Sequence, residues 1–285
     1  MEYISIEYAK NLLPKNNVNQ HKGDCGKVMI CGGSIGLTGS VCMSAMAALR
    51  TGSGLVTVAV PGSLNSIYEI KLTEAMSLPL DDNCGQFTSE SYQKALKFSE
   101  SCHAVAIGPG GGDNFIETTR NFVCECKIPL VIDADGLNSL STNPDMLYNK
   151  KCPVILTPHI GEMSRLTGKS IEYIITNKVA VAQEFARKYN VILVLKGPGT
   201  IVTNGEKTYV NTTGNEGMAT GGSGDVLSGI ILSLLGRKMD CFESAVLGVY
   251  LHGLAGDIAK SKVGAYSLIA TDIINNISEA FNKLL

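Results

Sequence analysis

The segment "GNEGMATGGSGDVLSGI", residues 214–230, sets five glycines within eleven residues and brings them up to one carboxylate, Asp225, where an apolar, helix-like run begins. Glycine lets the backbone turn through positive φ and approach a ligand with no Cβ in between. The first amides of a helix lack internal acceptors, and the helix dipole makes that end partly positive. Gly221, Gly222 and Gly224 flank Ser223 just before a helix start, and a Gly-rich loop at that point predicts an anion site suited to phosphate. It is not a P-loop, because no Gly-Lys-Ser/Thr follows, and it lies too late in the chain for a first βα dinucleotide turn. In that amide-rich end Asp225 is expected to be held ionised. It would accept a proton from a substrate hydroxyl while the amides neutralise a phosphoryl group. The plainer alternative is a helix cap, but five glycines exceed what a cap needs.

Three further segments carry polar groups just past apolar runs. In "LKGPGTIV", Lys196 neutralises phosphate while the glycine amides approach a nucleotide, or it is a solvated lysine beside a Pro-Gly turn. In "TPHIGEM", Glu162 holds Mg²⁺ directly or through water, or it is a helix-start acid favoured by the dipole. In "VIDADGLN", Asp133, Asp135 and Asn138 orient ribose, water or metal, or bond their own backbone in a turn. His252, inside the apolar stretch "VLGVYLHGLAGD", reads as a packed, hydrogen-bonded histidine, and Asp257 as structural.

The elements that must position these groups follow from periodicity. "KVMICGG", "GLVTVAV", "AVAIGPG", "PLVIDADG", "CPVILTP" and "NVILVLKG" are short apolar runs closed by Gly, Pro or Asp, and each predicts a buried strand ending in a loop. Helical spacing lies between them, over residues 38–51, 90–100, 115–126 and 171–189. That alternation predicts an α/β fold with a mainly parallel sheet covered on both faces. "TIVTNGEKTYVN" is different: two alternating strands flank Asn204-Gly205, a hairpin signal. From Asp225 onward the chain reads as helical. No low-complexity linker interrupts the pattern, so residues 1–285 are expected to form one domain. The glycine-rich segments follow strand ends, where open parallel sheets bind ligands.

Composition narrows the function classes. A net charge of -2 with 18% charged and 45% hydrophobic residues gives no electrostatic reason to expect nucleic acid or an anionic membrane as partner. The nine cysteines include no CxxC, only a lone CxC at Cys124 and Cys126, and no histidine pair stands at zinc-finger distance. Free thiols are expected. The N-terminus lacks a basic segment followed by an apolar one, and no apolar run approaches the ~20 residues of a membrane span. A cytoplasmic protein is expected.

Taken together, the segments from "HKGDCGKVMICGGS" through "GLTGSVCMSAMAALRTGSGLVTVAVP", "AIGPGGG", "VIDADGLN", "TPHIGEMSRLTG", "LKGPGTIV" and "NTTGNEGMATGGSGDVLSGI" to "GVYLHGLAGD" resemble the ribokinase-like superfamily. Within it they resemble the ADP/ATP-dependent NAD(P)H-hydrate dehydratases in their stand-alone microbial form. The resemblance implies a three-layer α/β/α sandwich. It implies a lyase that uses ADP or ATP, with Mg²⁺, to phosphorylate the ring hydroxyl of the S epimer of hydrated NAD(P)H. Phosphate is then eliminated to restore NAD(P)H, which is metabolite repair.

By position, the resemblance makes Asp225 the base and Gly222, Ser223 and Gly224 the anion hole. Lys196, Gly197, Pro198, Gly199 and Thr200 would hold the nucleotide together with Asn215, Gly217, Met218, Ala219, Thr220 and Gly224. Ser40, Val41, Gly110 and His159, with Asp225, would contact the hydrated cofactor, and Glu162 takes the place of the acid that superfamily kinases associate with Mg²⁺. A homotetramer is implied as well. Some relatives carry a fused epimerase for which this chain has no room, so a separate NAD(P)HX epimerase is the expected functional partner. Three positions depart from the family pattern: Ile160 where Pro is usual, Gly111 where Leu is common and Glu216 where Pro is common. The alternatives are a superfamily kinase acting on a hydroxyethylthiazole or pyridoxal-type alcohol, which would release a stable phosphorylated product, and a non-catalytic nucleotide-binding protein, which would have no need of Asp225.

Overall fold

The computed structural model describes residues 1–15 and 19–285. The chain opens with β1 (Glu2–Tyr3) and α1 (Ile6–Asn11), then alternates β2 (Lys27–Cys31), α2 (Thr38–Thr51), β3 (Leu55–Pro61), α3 (Asn65–Lys71) and β4 (Met76–Leu80). A two-stranded ribbon, β5 (Asp82–Asn83) with β6 (Gln86–Phe87), precedes α4 (Ser91–Ser99). Next come β7 (Ala104–Ile107), α5 (Ile116–Glu125), β8 (Leu130–Ile132), α6 (Asp135–Ser141), β9 (Val154–Leu156) and α7 (Ile160–Thr167). After α8 (Ile171–Thr176), α9 (Lys178–Tyr189) and β10 (Ile192–Leu195), the hairpin β11 (Ile201–Thr203) and β12 (Thr208–Val210) closes the strand-bearing part. Three helices finish the chain: α10 (Ser223–Gly236), α11 (Cys241–Val263) and α12 (Ala270–Leu284).

Ten strands form one sheet in the order β1-β12-β11-β10-β9-β8-β7-β2-β3-β4. Among the described strands of this sheet only β11 runs antiparallel to its neighbours, joined to β12 through the Asn204-Gly205 turn expected from sequence. Side chains alternate along each strand, and the alternation sorts two cores. Val28, Ile30, Ala104, Ala106, Val131, Ile155 and Val194 face one layer, with α2, α10, α11 and α12. Met29, Cys31, Val105, Ile107, Leu130, Ile132, Leu156 and Leu195 face the other, with α5, α6, α7 and α9. The result is the three-layer sandwich. All nine cysteines are free, and among the described residues no helix is long and apolar enough to cross a membrane.

Two features differ from the sequence expectation. The predicted helix over 171–189 is two helices, α8 and α9. Asn177 separates them at φ -118, ψ 30, and its side chain donates to Tyr173 O at 2.9 Å. Such local bonding competes with helical continuation. The strand β4, "MSLPL", carries no clean signal because Pro79 demotes it, and it lies at the sheet edge where proline is tolerated.

Helix α10 has twelve of its fourteen residues buried. It crosses α2 closely: a Cβ on Gly229 would stand 2.2 Å from Ser44 O, and Ser44 Oγ in turn donates to Asp225 O at 2.9 Å. Farther along, Ser53 Oγ meets Ser233 Oγ at 2.8 Å. Gly229→Ala is therefore expected to destabilise by roughly 1–3 kcal/mol, read as a lower urea midpoint with unchanged slope.

Candidate active site

Loops leaving β8, β9, β10 and β12 surround a cavity of about 1070 Å³ at the carboxyl edge of the sheet, at the upper end of the size range for small-molecule sites. Its floor is the tip of α10. Gly222 stands at the N-cap with φ 90, and Val226 N–H is the first to bond back into the helix, to Gly222 O at 3.1 Å. Ser223 N–H closes a turn on Thr220 O at 3.4 Å. Among the described residues nothing accepts from the Gly224 and Asp225 amides, which is the arrangement an anion requires.

Lys196 is no solvated lysine. It follows β10, and its Nζ lies 2.8 Å from Asp133 Oδ1 and 3.9 Å from Glu162 Oε2. Burial alone would favour the neutral amine, but Asp133, Glu162 and Asp225 outweigh it and hold the ammonium above the usual lysine range. Asp133 is only 2% exposed. Its second oxygen accepts from Ser228 Oγ at 2.7 Å. Burial pushes its carboxyl up, yet Lys196 and these hydrogen bonds prevail and leave it below the usual range.

The expectation that the helix tip holds Asp225 ionised is overturned. Burial, with the Asp133 charge nearby, raises its carboxyl to about 7, against a Ser40 hydrogen bond and the Lys196 charge. Glu162 behaves likewise: burial and Asp133 lift it to about 7 despite Lys196. Glu162 is also the helix-start acid. Its Oε2 accepts from His159 N at 2.7 Å, and His159 Nδ1 accepts from Gly161 N at 2.9 Å, a capping box at the start of α7. Partial desolvation and the Lys196 and Arg165 charges hold the His159 ring below the usual imidazole range, and because Nδ1 accepts from the Gly161 and Glu162 amides the hydrogen of the neutral ring sits on Nε2. No three His, Cys, Asp or Glu among the described residues are grouped as a metal cage.

One wall is the loop 196–200. Lys178 Nζ donates to Pro198 O at 2.9 Å and to Gly199 O at 3.4 Å, and Thr200 Oγ1 closes on Gly197 O at 2.9 Å. The opposite wall carries Asn215, Met218, Ala219 and Thr220. Asp257 holds this wall, accepting from Gly214 N at 2.9 Å and Asn215 Nδ2 at 2.8 Å, so its structural reading stands. Asn215 Oδ1 accepts from Gly217 N at 3.0 Å, so the side chain shapes the loop. Gly217 is outside the lining and packs beside Ala265.

The residues expected to meet the second substrate divide. His159 and Asp225 line the cavity. Ser40 reaches Asp225 from α2, and Gly110 packs beside Ser40, its notional Cβ 3.2 Å from Ser40 Cβ. Val41 is fully buried in the core, against Gly33, and is outside the lining of this cavity. The three departures from the family pattern are each accommodated. Ile160 opens α7, the Phe115 ring fills the space a side chain at Gly111 would need, and Glu216 pairs with Lys260 at 2.6 Å. Sequence reasoning missed Ser228 and Ser44 as supports. It read His252 as a packed histidine; the ring is packed, 3.3 Å from Ser223 Oγ, kept neutral at about 4 by burial, and it also borders the cavity.

Comparison with known proteins gives a consistent result. A family model described as NAD(P)H-hydrate dehydratase matches residues 28–279. The bifunctional NAD(P)H-hydrate repair enzyme Nnr of Moorella thermoacetica is 37% identical over 285 residues, 99% of this chain and 54% of that protein. The chain thus spans about half the length of the curated relatives it matches. The ADP/ATP-dependent NAD(P)H-hydrate dehydratase of Bacillus subtilis, co-crystallised with ATP/Mg²⁺, superposes with a TM-score of 0.86 at 25% identity, covering 100% of this chain and 99% of that one. A hydroxyethylthiazole kinase from Pyrococcus horikoshii reaches 0.62 at 14% identity, covering 96% of this chain and 92% of that one, a likeness of fold alone.

Proposed function

The chain belongs to the NAD(P)H-hydrate dehydratase family and has its ribokinase-like α/β fold, and on that premise we propose that the cavity dehydrates S-NAD(P)HX at the expense of ADP or ATP. Hydroxide is a poor leaving group. Asp225 takes the proton of the ring hydroxyl as its oxygen attacks the terminal phosphoryl group, and the nucleotide leaves one phosphate shorter. The C–O bond of the phosphorylated ring then breaks, driven by the ring nitrogen lone pair, and inorganic phosphate departs with the bonding electrons. Loss of a ring proton restores the reduced nicotinamide.

The observation that carries this reading is the placement of Asp225: a buried carboxyl raised to about 7, in the same helix turn as amides that have no acceptor among the described residues. A base poised near working pH is suited to accept a hydroxyl proton. In this reading Lys196 and the Gly222–Gly224 tip face the phosphates, the loops 196–200 and 215–220 hold the nucleotide, and Ser40, Gly110 and His159 meet the hydrated ring, with the His159 Nε2 hydrogen as donor. Mg²⁺ accompanies the nucleotide. A homotetramer and a functional link to an NAD(P)HX epimerase belong to the same reading; relatives that are bifunctional and about twice as long support the latter.

Hydrated NADH incubated with the protein, Mg²⁺ and ADP or ATP is expected to regain reduced-nicotinamide absorbance and release inorganic phosphate. No recovery with either nucleotide, or accumulation of a stable phosphorylated product, would defeat the assignment. The pH dependence follows from Asp225. The base works as the anion, so lowering pH through about 7 removes it. kcat/KM is expected to fall roughly tenfold for each pH step below that point and to level off above it, as checked by a pH–rate profile.

A further inference from the structure

We propose that the Lys196 ammonium is the resident cation of a carboxylate site, standing where Asp133 and Glu162 would otherwise hold a divalent metal. Magnesium then enters only on the phosphates of the nucleotide, a consequence that rests on the nucleotide-dependent reading above. Three adjacent parallel strands build the arrangement. Asp133 leaves the end of β8, Glu162 lies in the helix after β9, and Lys196 leaves the end of β10. Strand order alone therefore brings two acids and one cation to one point.

The ammonium stands between the two acids, in direct contact with Asp133. Nζ lies 2.8 Å from Asp133 Oδ1 and 3.9 Å from Glu162 Oε2. The other Asp133 oxygen accepts from Ser228 Oγ, and the Glu162 oxygen that faces Nζ also accepts from His159 N–H, at 2.7 Å each, as outer partners fix metal-ligating carboxylates. Magnesium asks for near-octahedral oxygen at about 2.0–2.1 Å, and a dication between these acids would sit against the ammonium. The helix tip adds a second repulsion: Gly224 stands so close that a Cβ there would lie 3.1 Å from Nζ, and this end of α10 is the positive end of its dipole. The pair of acids does not fit Mg²⁺ while Lys196 is in place. The ammonium instead offsets negative charge directly below the spot where a phosphoryl group must enter beside Asp225, and unlike a bound metal it cannot dissociate.

The test uses Mn²⁺ alone, followed by loss of the free-ion electron paramagnetic resonance signal, on nucleotide-free protein. Wild type is expected to leave the signal intact at sub-millimolar Mn²⁺. Lys196→Met, which keeps the stem and removes the charge, is expected to bind one Mn²⁺ at least tenfold more tightly than wild type. Adding Asp133→Asn to that variant should abolish the gain. One-to-one Mn²⁺ binding by the nucleotide-free wild type, lost in Glu162→Gln, would overturn the proposal, and so would a folded Lys196→Met with no gain. Should Lys196→Met fail to fold by circular dichroism, the wild-type titration decides alone, an intact signal supporting the proposal. Failure of the dehydration assay leaves these readings unaffected, so the two ideas fall separately.

Discussion

Asp225→Asn is expected to lower the dehydration rate by roughly 10²–10⁴-fold, the usual contribution of a general base, while the protein melts at a higher temperature than wild type. The two effects have one cause. The Asp225 carboxyl is raised from 3.8 to about 7 by burial and by Asp133, so the folded state holds its proton more tightly than the unfolded state does. Stability from this group is complete below the unfolded value. It is lost as pH rises toward the folded value, and above that the folded protein carries an unwelcome charge. At ~1.4 kcal/mol per tenfold change in proton affinity, the penalty at pH 8 approaches roughly 4 kcal/mol as an upper bound. Asparagine keeps the shape and cannot ionise. A rise in melting temperature of roughly 5 °C at pH 8, shrinking toward zero at pH 4, is the expected signature by calorimetry. A variant that loses activity and melts lower at both pH values would mean that Asp225 supports the fold instead of straining it.

Gly222→Ala is expected to lose roughly 10²-fold in rate and about 2–5 kcal/mol in stability. The residue holds φ 90 at the N-cap of α10, a conformation that costs an L-residue about 1–2 kcal/mol. A Cβ there would also stand 2.3 Å from Met43 Sδ and 3.0 Å from Ala270 Cβ. Methionine can yield, but the Ala270 methyl on α12 cannot. Crowding adds about 1–3 kcal/mol. Relief requires the cap to rotate, and the Gly224 and Asp225 amides rotate with it, away from the phosphoryl position. The neighbouring Gly221 is the control: no atom lies within 4 Å of its notional Cβ, so Gly221→Ala is expected to change stability by no more than ~0.5 kcal/mol. Equal losses in thermal unfolding for both variants would contradict the account.

The helix tip, the strand ends and the loops that line the cavity were legible in sequence because each is a local pattern. Glycines before a helix start, an apolar run closed by Gly or Asp, and an Asn-Gly turn all act within a few residues. What the sequence concealed is what distant segments do to one another. Local dipole reasoning has Asp225 ionised, yet Asp133, far away in the chain, and burial under the loops decide the matter. Lys196 looks like a turn lysine until β8, β9 and β10 are known to be neighbours. The helix over 38–51 is plain from its spacing, but its small residues give no clear stripe, so the inward face that buries Val41 is not evident. The single run over 171–189 hides a break because Asn177 acts through its own side chain, which periodicity does not weigh.

The close crossing of α10 on α2 bears on how such a protein can diversify. A helix that meets Ser44 of α2 through its own Gly229 and lies over the alanines of β7 has no slack, and a larger side chain along that seam is expected to displace the amides at its tip. A larger residue at Ser228, Gly229 or Ala106 is therefore expected to disturb the tip, although of the three Ser228 is the one that hydrogen-bonds a cavity-lining group, Asp133. The opposite core, lined by leucine, methionine and phenylalanine, can exchange one bulky residue for another without moving that tip. Change in the cavity's shape is accordingly expected to come from exposed loop positions such as Glu216 and Gly221, since Gly214, Asn215 and Gly217 are themselves held in place.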